Sequence, residues 1–249
     1  MKKLVVMFLA VMLFVLPQAE AAESLKDSAG NGVLWMQTSA EYRALCYQSY
    51  NTALERVKAA AASFKSGDKP LAIILDCDET VVDNSPFFVE LFKHLDGNTS
   101  LESTMAKFGE WVASGKAQAM PGALEFLKNV DALGAAIFYV TNKPESLKPA
   151  TLTHMKSLDF PQVDEVHLVL NSGNSNKEPR FSEIEKSYNV VVYLGDSMHD
   201  FPIGMYGQDS EARRSIVDAQ REHMGKKYIV LPNPMYGSWM AGMSSNYGK

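Results

Sequence analysis

Cysteine is scarce in this chain: Cys46 and Cys77 are the only two among 249 residues. Two thiols cannot build the multi-bridge frame of a small stapled domain, nor a four-thiolate zinc site. A bridge between them stays open from the residues alone. Side chains alternate along a strand, so Cys77 is expected to turn away from Asp76 and Asp78 and pack as a small hydrophobe against a neighbouring helix. Basic residues are not in excess either, with 24 Lys and Arg against 29 Asp and Glu and a net charge of −5. They are scattered, which excludes a nucleic-acid footprint and a basic membrane patch. An anionic ligand would have to be held locally. No internal repeat, low-complexity tract or long linker divides the chain.

Long apolar runs are also missing. The longest, Leu4 to Leu16, falls short of the roughly 20 residues needed to cross a bilayer core. Two lysines precede it, Pro17 ends it, and the small-residue pattern Ala19-Glu20-Ala21 follows. That is the layout of a cleavable export signal over 1–21, cut near Ala21 or Ala22. With no cysteine near the cut, lipid attachment is excluded. The mature chain, 22–249, is expected to be periplasmic or secreted, with no stable membrane anchor.

What is there has a clear rhythm. Residues 33–66 are rich in alanine and carry apolar positions at helical spacing, which predicts one or two N-terminal helices. Leu71 to Leu75 is an unbroken apolar run of the kind buried on both faces of a parallel sheet. Ala135 to Val140, Val166 to Leu170, Val190 to Leu194 and Lys227 to Leu231 repeat the type. Helical stretches at 122–133, 146–158, 181–188 and 210–224 alternate with them. Alternation predicts an α/β fold, a Rossmann-like doubly wound parallel sheet with right-handed crossovers. The stretch from about 88 to 120 is too long for a simple crossover and is expected to form a small helical cap.

Ligands in such sheets bind at the carboxyl ends of the strands, and the polar residues gather there. The first strand ends in Asp76 and Asp78, the second in Thr141 and Asn142, the fourth in "GDSMHD" with Asp196 and Asp200; the loop after the third supplies Lys177. Four converging carboxylates repel one another unless a hard cation sits among them, and an all-oxygen set suits Mg2+. The cation and Lys177 would attract a phosphate, to which the Thr141 hydroxyl and Asn142 amide can donate. One carboxylate can then attack in line and become an aspartyl phosphate. Asp78, two positions on and facing the same way, can protonate the leaving oxygen and later deprotonate water. An acid that must start protonated predicts better activity below neutral pH.

The segments "LDCDETVVDNSPF", "MPGALEFL", "FYVTNK", "RFSEIEK", "YLGDSMHDF" and "LPNPMYGSW" resemble the haloacid dehalogenase superfamily of phosphohydrolases, and within it the class C acid phosphatases, the group that includes bacterial lipoprotein acid phosphatases. Glutamate at position 79, followed by "DNSPF", is specific to that branch. The resemblance implies that Asp76 is the nucleophile and Asp78 the acid and base. It implies magnesium held by the Asp76 side chain, the Asp78 backbone carbonyl and Asp196, with Asp200 supporting the ion's water shell, and it matches Thr141 and Lys177 to the phosphate-binding motifs. It implies small phosphomonoester substrates, nucleoside 5′-monophosphates among them, with the base stacked between a cap aromatic, placed at Phe108, and Tyr236 of the C-terminal loop. A homodimer is left open.

Other readings fit less of the sequence. A non-catalytic binding or storage protein on this fold would be expected to have lost the nucleophile, yet Asp76 is present. A phosphoaspartate receiver needs a kinase partner that an exported protein lacks, and a dehalogenase needs neither Asp78 nor magnesium. None of the five histidines lies in an Arg-His-Gly motif, which excludes a histidine phosphatase. His199, inside "GDSMHD", reads as a loop residue.

Overall fold

Five apolar residues in a row, Leu71–Leu75, form β1, and every one of them is buried. A strand apolar on both faces belongs inside a parallel sheet, and β1 is the middle strand of five. The computed structural model describes residues 30–93 and 101–242; the export signal expected over 1–21 lies outside them. The other strands of the sheet are β4 (Ala136–Pro144), β5 (Leu168–Asn171), β6 (Asn189–Gly195) and β7 (Tyr228–Val230), in the order β5-β4-β1-β6-β7. All four pairings are parallel. After β1 the chain builds outward on one side through β4 and β5, then crosses to the other for β6 and β7. The reversal opens a crevice at the carboxyl end of β1, where ligands bind in such sheets.

Alternation sorts the sheet residues into two cores. Ile73, Leu75, Ile137, Tyr139 and Leu194 face one side, with the stripe Tyr42, Cys46, Tyr50, Ala53 and Val57 of α1 (Ala40–Ser63). Ala72, Ile74, Phe138, Val140 and Tyr193 face the other, against Phe181 and Ile184. The α1 stripe recurs every three or four residues, as a helix lying on a sheet requires. Ser39 caps α1 by accepting from the Tyr42 backbone N–H at 2.9 Å, and residues 30–38 are largely helical before it.

Between β1 and β4 the chain forms a short antiparallel pair, β2 (Val82–Asp83) with β3 (Gln118–Ala119). Two helices, α2 (Ser85–Lys93) and α3 (Leu101–Ser114), lie between these strands in the chain. The remaining helices are α4 (Ala123–Ala132), α5 (Lys148–Ser157), α6 (Glu178–Ser187) and α7 (Ser210–Ala219).

Element edges differ from the sequence reading in ways with identifiable causes. β4 does not stop at Val140 but runs to Pro144, pairing there with Asn171 of β5, so Thr141, Asn142 and Lys143 sit within the strand. β5 starts at Leu168, not Val166. The Asp164 carboxylate accepts from the backbone N–H groups of Val166 and His167, both at 2.9 Å, and holds that stretch as a turn. Helix α6 starts earlier than expected, because Pro179 sits in its first turn, where a missing N–H is harmless.

Candidate active site

Asp76 and Asp78 follow β1 directly and are 5% and 1% exposed. Cys77, between them, points into the core shared with Cys46; both thiols are buried and free, so no bridge joins them. The two aspartates have different partners. Lys177, the residue before α6, donates to Asp76 Oδ1 at 2.5 Å and to Asp200 Oδ1 at 2.7 Å. Lys143, on β4, donates to both oxygens of Asp78 at 2.5 Å.

The acidic group around Lys177 is made by the end of β6 and the 3-10 turn after it. Asp76, Asp196 and Asp200 each offer an oxygen within 4.8 Å of the others. Asp196 accepts from the Thr80 hydroxyl at 3.2 Å and the Asn233 amide at 2.8 Å. Asp200 also accepts from the Ser197 backbone N–H at 2.9 Å, which closes the capping box of the 3-10 turn Met198–Asp200. Gly195 is required beside it: a Cβ there would lie 2.2 Å from the Asp200 Cβ.

Electrostatics show that one lysine is too little for three clustered carboxylates. Burial pushes the Asp76 carboxyl up to about 7, with Lys177 opposing and Asp200 and Asp78 adding to the rise. Burial, then the neighbouring Asp200 and Asp76, holds Asp196 well above the usual carboxylate range. Lys177 loses stability as a cation by burial but gains more from Asp200 and Asp76, so its pKa is raised. An all-oxygen donor set with surplus negative charge fits a hard divalent cation. The side chain of Asp78 lies outside that group, turned toward Lys143; only its backbone carbonyl remains to serve the expected metal.

The other anticipated residues are placed as follows. Thr141 is fully buried and its hydroxyl accepts from the Lys143 backbone N–H at 3.2 Å. The Asn142 side chain, expected to donate to phosphate, is engaged with protein: its amide donates to the Ser175 carbonyl at 2.9 Å and its oxygen accepts from Arg180 at 2.5 Å. Phe108 is not opposite Tyr236. With Thr104 and Val112 it forms the inward stripe of α3, 7% exposed, its ring 5.4 Å from Phe87. The aromatic neighbour of Tyr236 is instead Phe88 of α2, at 5.0 Å. Helical phase decides this, since positions 104, 108 and 112 share one face.

Several site residues escaped the sequence reading. Lys143 stands in the quoted "FYVTNK" segment, next to two residues that were singled out, and alternation from Thr141 places it on the same face. Glu79 is fully buried with a left-handed φ of 53°. It accepts from the Asn84 backbone N–H at 2.8 Å and from the Tyr236 hydroxyl. The Asn84 amide donates to Asp78 Oδ1 at 2.8 Å, and its own oxygen accepts from the Trp111 indole N–H at 2.9 Å. Trp111 therefore connects α3 to the acidic pair.

A doubly wound sheet whose central strand ends in D-x-D, with a buried lysine bridging the first aspartate to an acidic turn after the fourth strand of the sheet in chain order, defines a haloacid dehalogenase-type fold and site. The family described as "HAD superfamily, subfamily IIIB (Acid phosphatase)" matches residues 4–239, and the chain belongs to it. The class C acid phosphatase from Bacillus anthracis is similar in structure, with a TM-score of 0.81 and 33% identity over 90% of this chain and 92% of that one. The same enzyme with tungstate bound gives 0.80 at 33% identity, with the same coverage. Two soybean (Glycine max) proteins are more distant. A stem 28 kDa glycoprotein is 24% identical and a stem 31 kDa glycoprotein 25% identical, each over 170 residues, 66% of this chain. The match spans 58% of the length of those two relatives.

Proposed function

We propose that the chain is a magnesium-dependent acid phosphatase that hydrolyses small phosphomonoesters through an aspartyl phosphate on Asp76. The observation that carries this reading is the division of labour between two neighbouring buried aspartates. Asp76 lies with Lys177 among the acidic group, while Asp78 lies outside it, held by Lys143 and Asn84.

Lys177 donates to Asp76 Oδ1, which leaves Oδ2 as the attacking oxygen. In the first step Oδ2 bonds to phosphorus, the ester P–O bond breaks, and Asp78 gives its proton to the departing alcohol oxygen. In the second, water loses a proton to Asp78 as its oxygen bonds to phosphorus and the Asp76–phosphorus bond breaks. The products are the alcohol and inorganic phosphate, and Asp78 is protonated again. Asp76, Asp196 and Asp200, with the Asp78 carbonyl, would hold the magnesium ion. When bound, it supplies positive charge that offsets the phosphate's. Thr141, on the strand beside β1, and Lys177 are side-chain donors for phosphate, and the Asn142 amide, with one N–H given to the Ser175 carbonyl, keeps a second.

Nucleoside 5′-monophosphates fit as substrates if the base stacks on Tyr236, which Phe88 backs at 5.0 Å. Base stacking on one aromatic ring stabilises binding by about 1–3 kcal/mol. The N-terminal pattern supports export to the periplasm or beyond; no helix among the described residues is long and apolar enough to cross a membrane. A non-catalytic binding protein on this fold would have no need of the Asp76–Lys177 pair.

Purified mature protein is expected to cleave 4-nitrophenyl phosphate at mildly acid pH, to lose that activity to a chelator and to regain it with magnesium. Asp76→Asn is expected to fold and to be inactive. Activity that survives both treatments refutes the mechanism.

A further inference from the structure

We propose that Lys143 is a positioning residue for Asp78: its ammonium fixes the acid–base carboxylate in the orientation that both proton transfers need. This rests on the acid–base role proposed above for Asp78.

Lys143 leaves β4, the neighbour of β1, and its side chain is 4% exposed; that of Asp78 is 2% exposed. An ammonium so deeply buried is tolerated only with a close partner, and both of its bonds go to one carboxylate, at 2.5 Å each. It makes no hydrogen bond to Asp76, Asp196 or Asp200 and meets Asp76 only through space, so its direct partner is Asp78 and not the group that Lys177 serves. Its surroundings hold it in place. The ring of Phe108 lies 5.9 Å from the ammonium, which accounts for the inward position of that aromatic. Asn84, just after β2, grips the same carboxylate at 2.8 Å, and Trp111 fixes which way the Asn84 amide points.

Behind the pair lies a void of about 10 Å³, lined by Asp78, Asn84, Trp111, Lys143, Thr151 and His154 among others. The Thr151 hydroxyl is buried there without a protein partner. A void of about that size has room for one water, and Thr151 and Lys143 are among the polar groups on its mixed lining. The carboxylate is thus held by two side chains, Lys143 and Asn84. A reacting group fixed in advance needs no reorganisation when charge moves.

A residue that acts through Asp78 and not on phosphate has a recognisable kinetic signature. Lys143→Met is expected to lower kcat with KM within about twofold. The loss in kcat/KM, which reports only the step that forms the aspartyl phosphate, should be about ten- to a hundredfold for glycerol 2-phosphate, whose alcohol must be protonated to leave, and several-fold smaller for 4-nitrophenyl phosphate, whose phenolate leaves readily. Lys143→Arg, which keeps the charge and donors, is expected to return the ratio of the two substrates toward that of the wild type. If the Met variant does not fold, a comparison of Asp78→Asn with the charge-balanced double variant Asp78→Asn/Lys143→Met decides. Once Asp78→Asn is in place, removing Lys143 is expected to cost less than about twofold further, because its only route to the reaction is gone.

Equal losses of kcat/KM on the two substrates, a rise in KM alone, or a further tenfold loss when Lys143→Met is added to Asp78→Asn would overturn the assignment. Failure of the wild type to cleave either ester, or activity in Asp76→Asn, would overturn the proposed function and the assignment with it.

Discussion

Replacing Lys177 with methionine tests the electrostatic reading of the site without touching a carboxylate. The side chain is 1% exposed and contacts Asp76 and Asp200 at 2.5 and 2.7 Å. Methionine keeps most of the volume and removes only the ammonium. Three carboxylates within 4.8 Å of one another would then lose the cation that bridges two of them. Removing one partner of a buried ion pair costs about 3–5 kcal/mol, a large share of the roughly 5–15 kcal/mol that holds a domain folded. At about 2–4 °C per kcal/mol for a chain of this size, Tm should fall by about 6–20 °C. Circular dichroism melts in a chelating buffer at pH 7.5 measure this. At pH 5 the penalty should shrink, because protonation neutralises Asp76, pushed up to about 7, and Asp196, held well above the usual carboxylate range. Magnesium should restore part of the lost stability at pH 7.5. A Tm unchanged at pH 7.5, or a fall of equal size at both pH values, would refute the account.

The wild type carries a related signature. A carboxyl whose folded pKa lies above its ordinary value near 4 stabilises the fold fully below that value and loses the contribution as pH rises through the folded pKa, about 7 for Asp76. Metal-free protein should therefore lose up to about 4 kcal/mol from this group between pH 4 and 8, and magnesium should flatten the profile; stability that climbs from pH 6 to 8 in chelator would contradict it. Gly195→Ala places a Cβ 2.2 Å from the Asp200 Cβ and should cost about 1–3 kcal/mol by displacing that turn, with weaker magnesium binding by titration calorimetry. The two thiols are buried and burial pushes Cys46 up to about 11, with Cys77 raised as well. Ellman's reagent should label neither in native protein and both after denaturation, and reductant should leave activity unchanged.

Strong periodicity made the sheet legible. Apolar runs buried on both faces announce parallel strands, and the alternation of strands with helices fixes how they wind, which is enough to bring Asp76, Asp78, Asp196 and Lys177 toward one edge of the sheet. What escaped was decided by side chains reaching between elements. Lys143 follows Thr141 by two residues, and nothing local tells a lysine that will cross to Asp78 from one that will face water. The Asn142 amide is claimed by Ser175 and Arg180, distant in sequence, so its donors could not be counted from the motif. The facing of Phe108 is not legible locally, because an aromatic on a cap helix can face the crevice or the core, and the buried companions Thr104 and Val112 set the helix phase.

The hydrogen-bonded line from Trp111 through Asn84 to Asp78 joins the inserted helices to the carboxylate proposed above to carry the protons. Swapping those helices for the equivalent pair of a relative would carry away the indole while leaving the amide behind. Such a chimera would inherit a new preference and a slackened catalyst together, unless positions 84 and 111 travel as a unit.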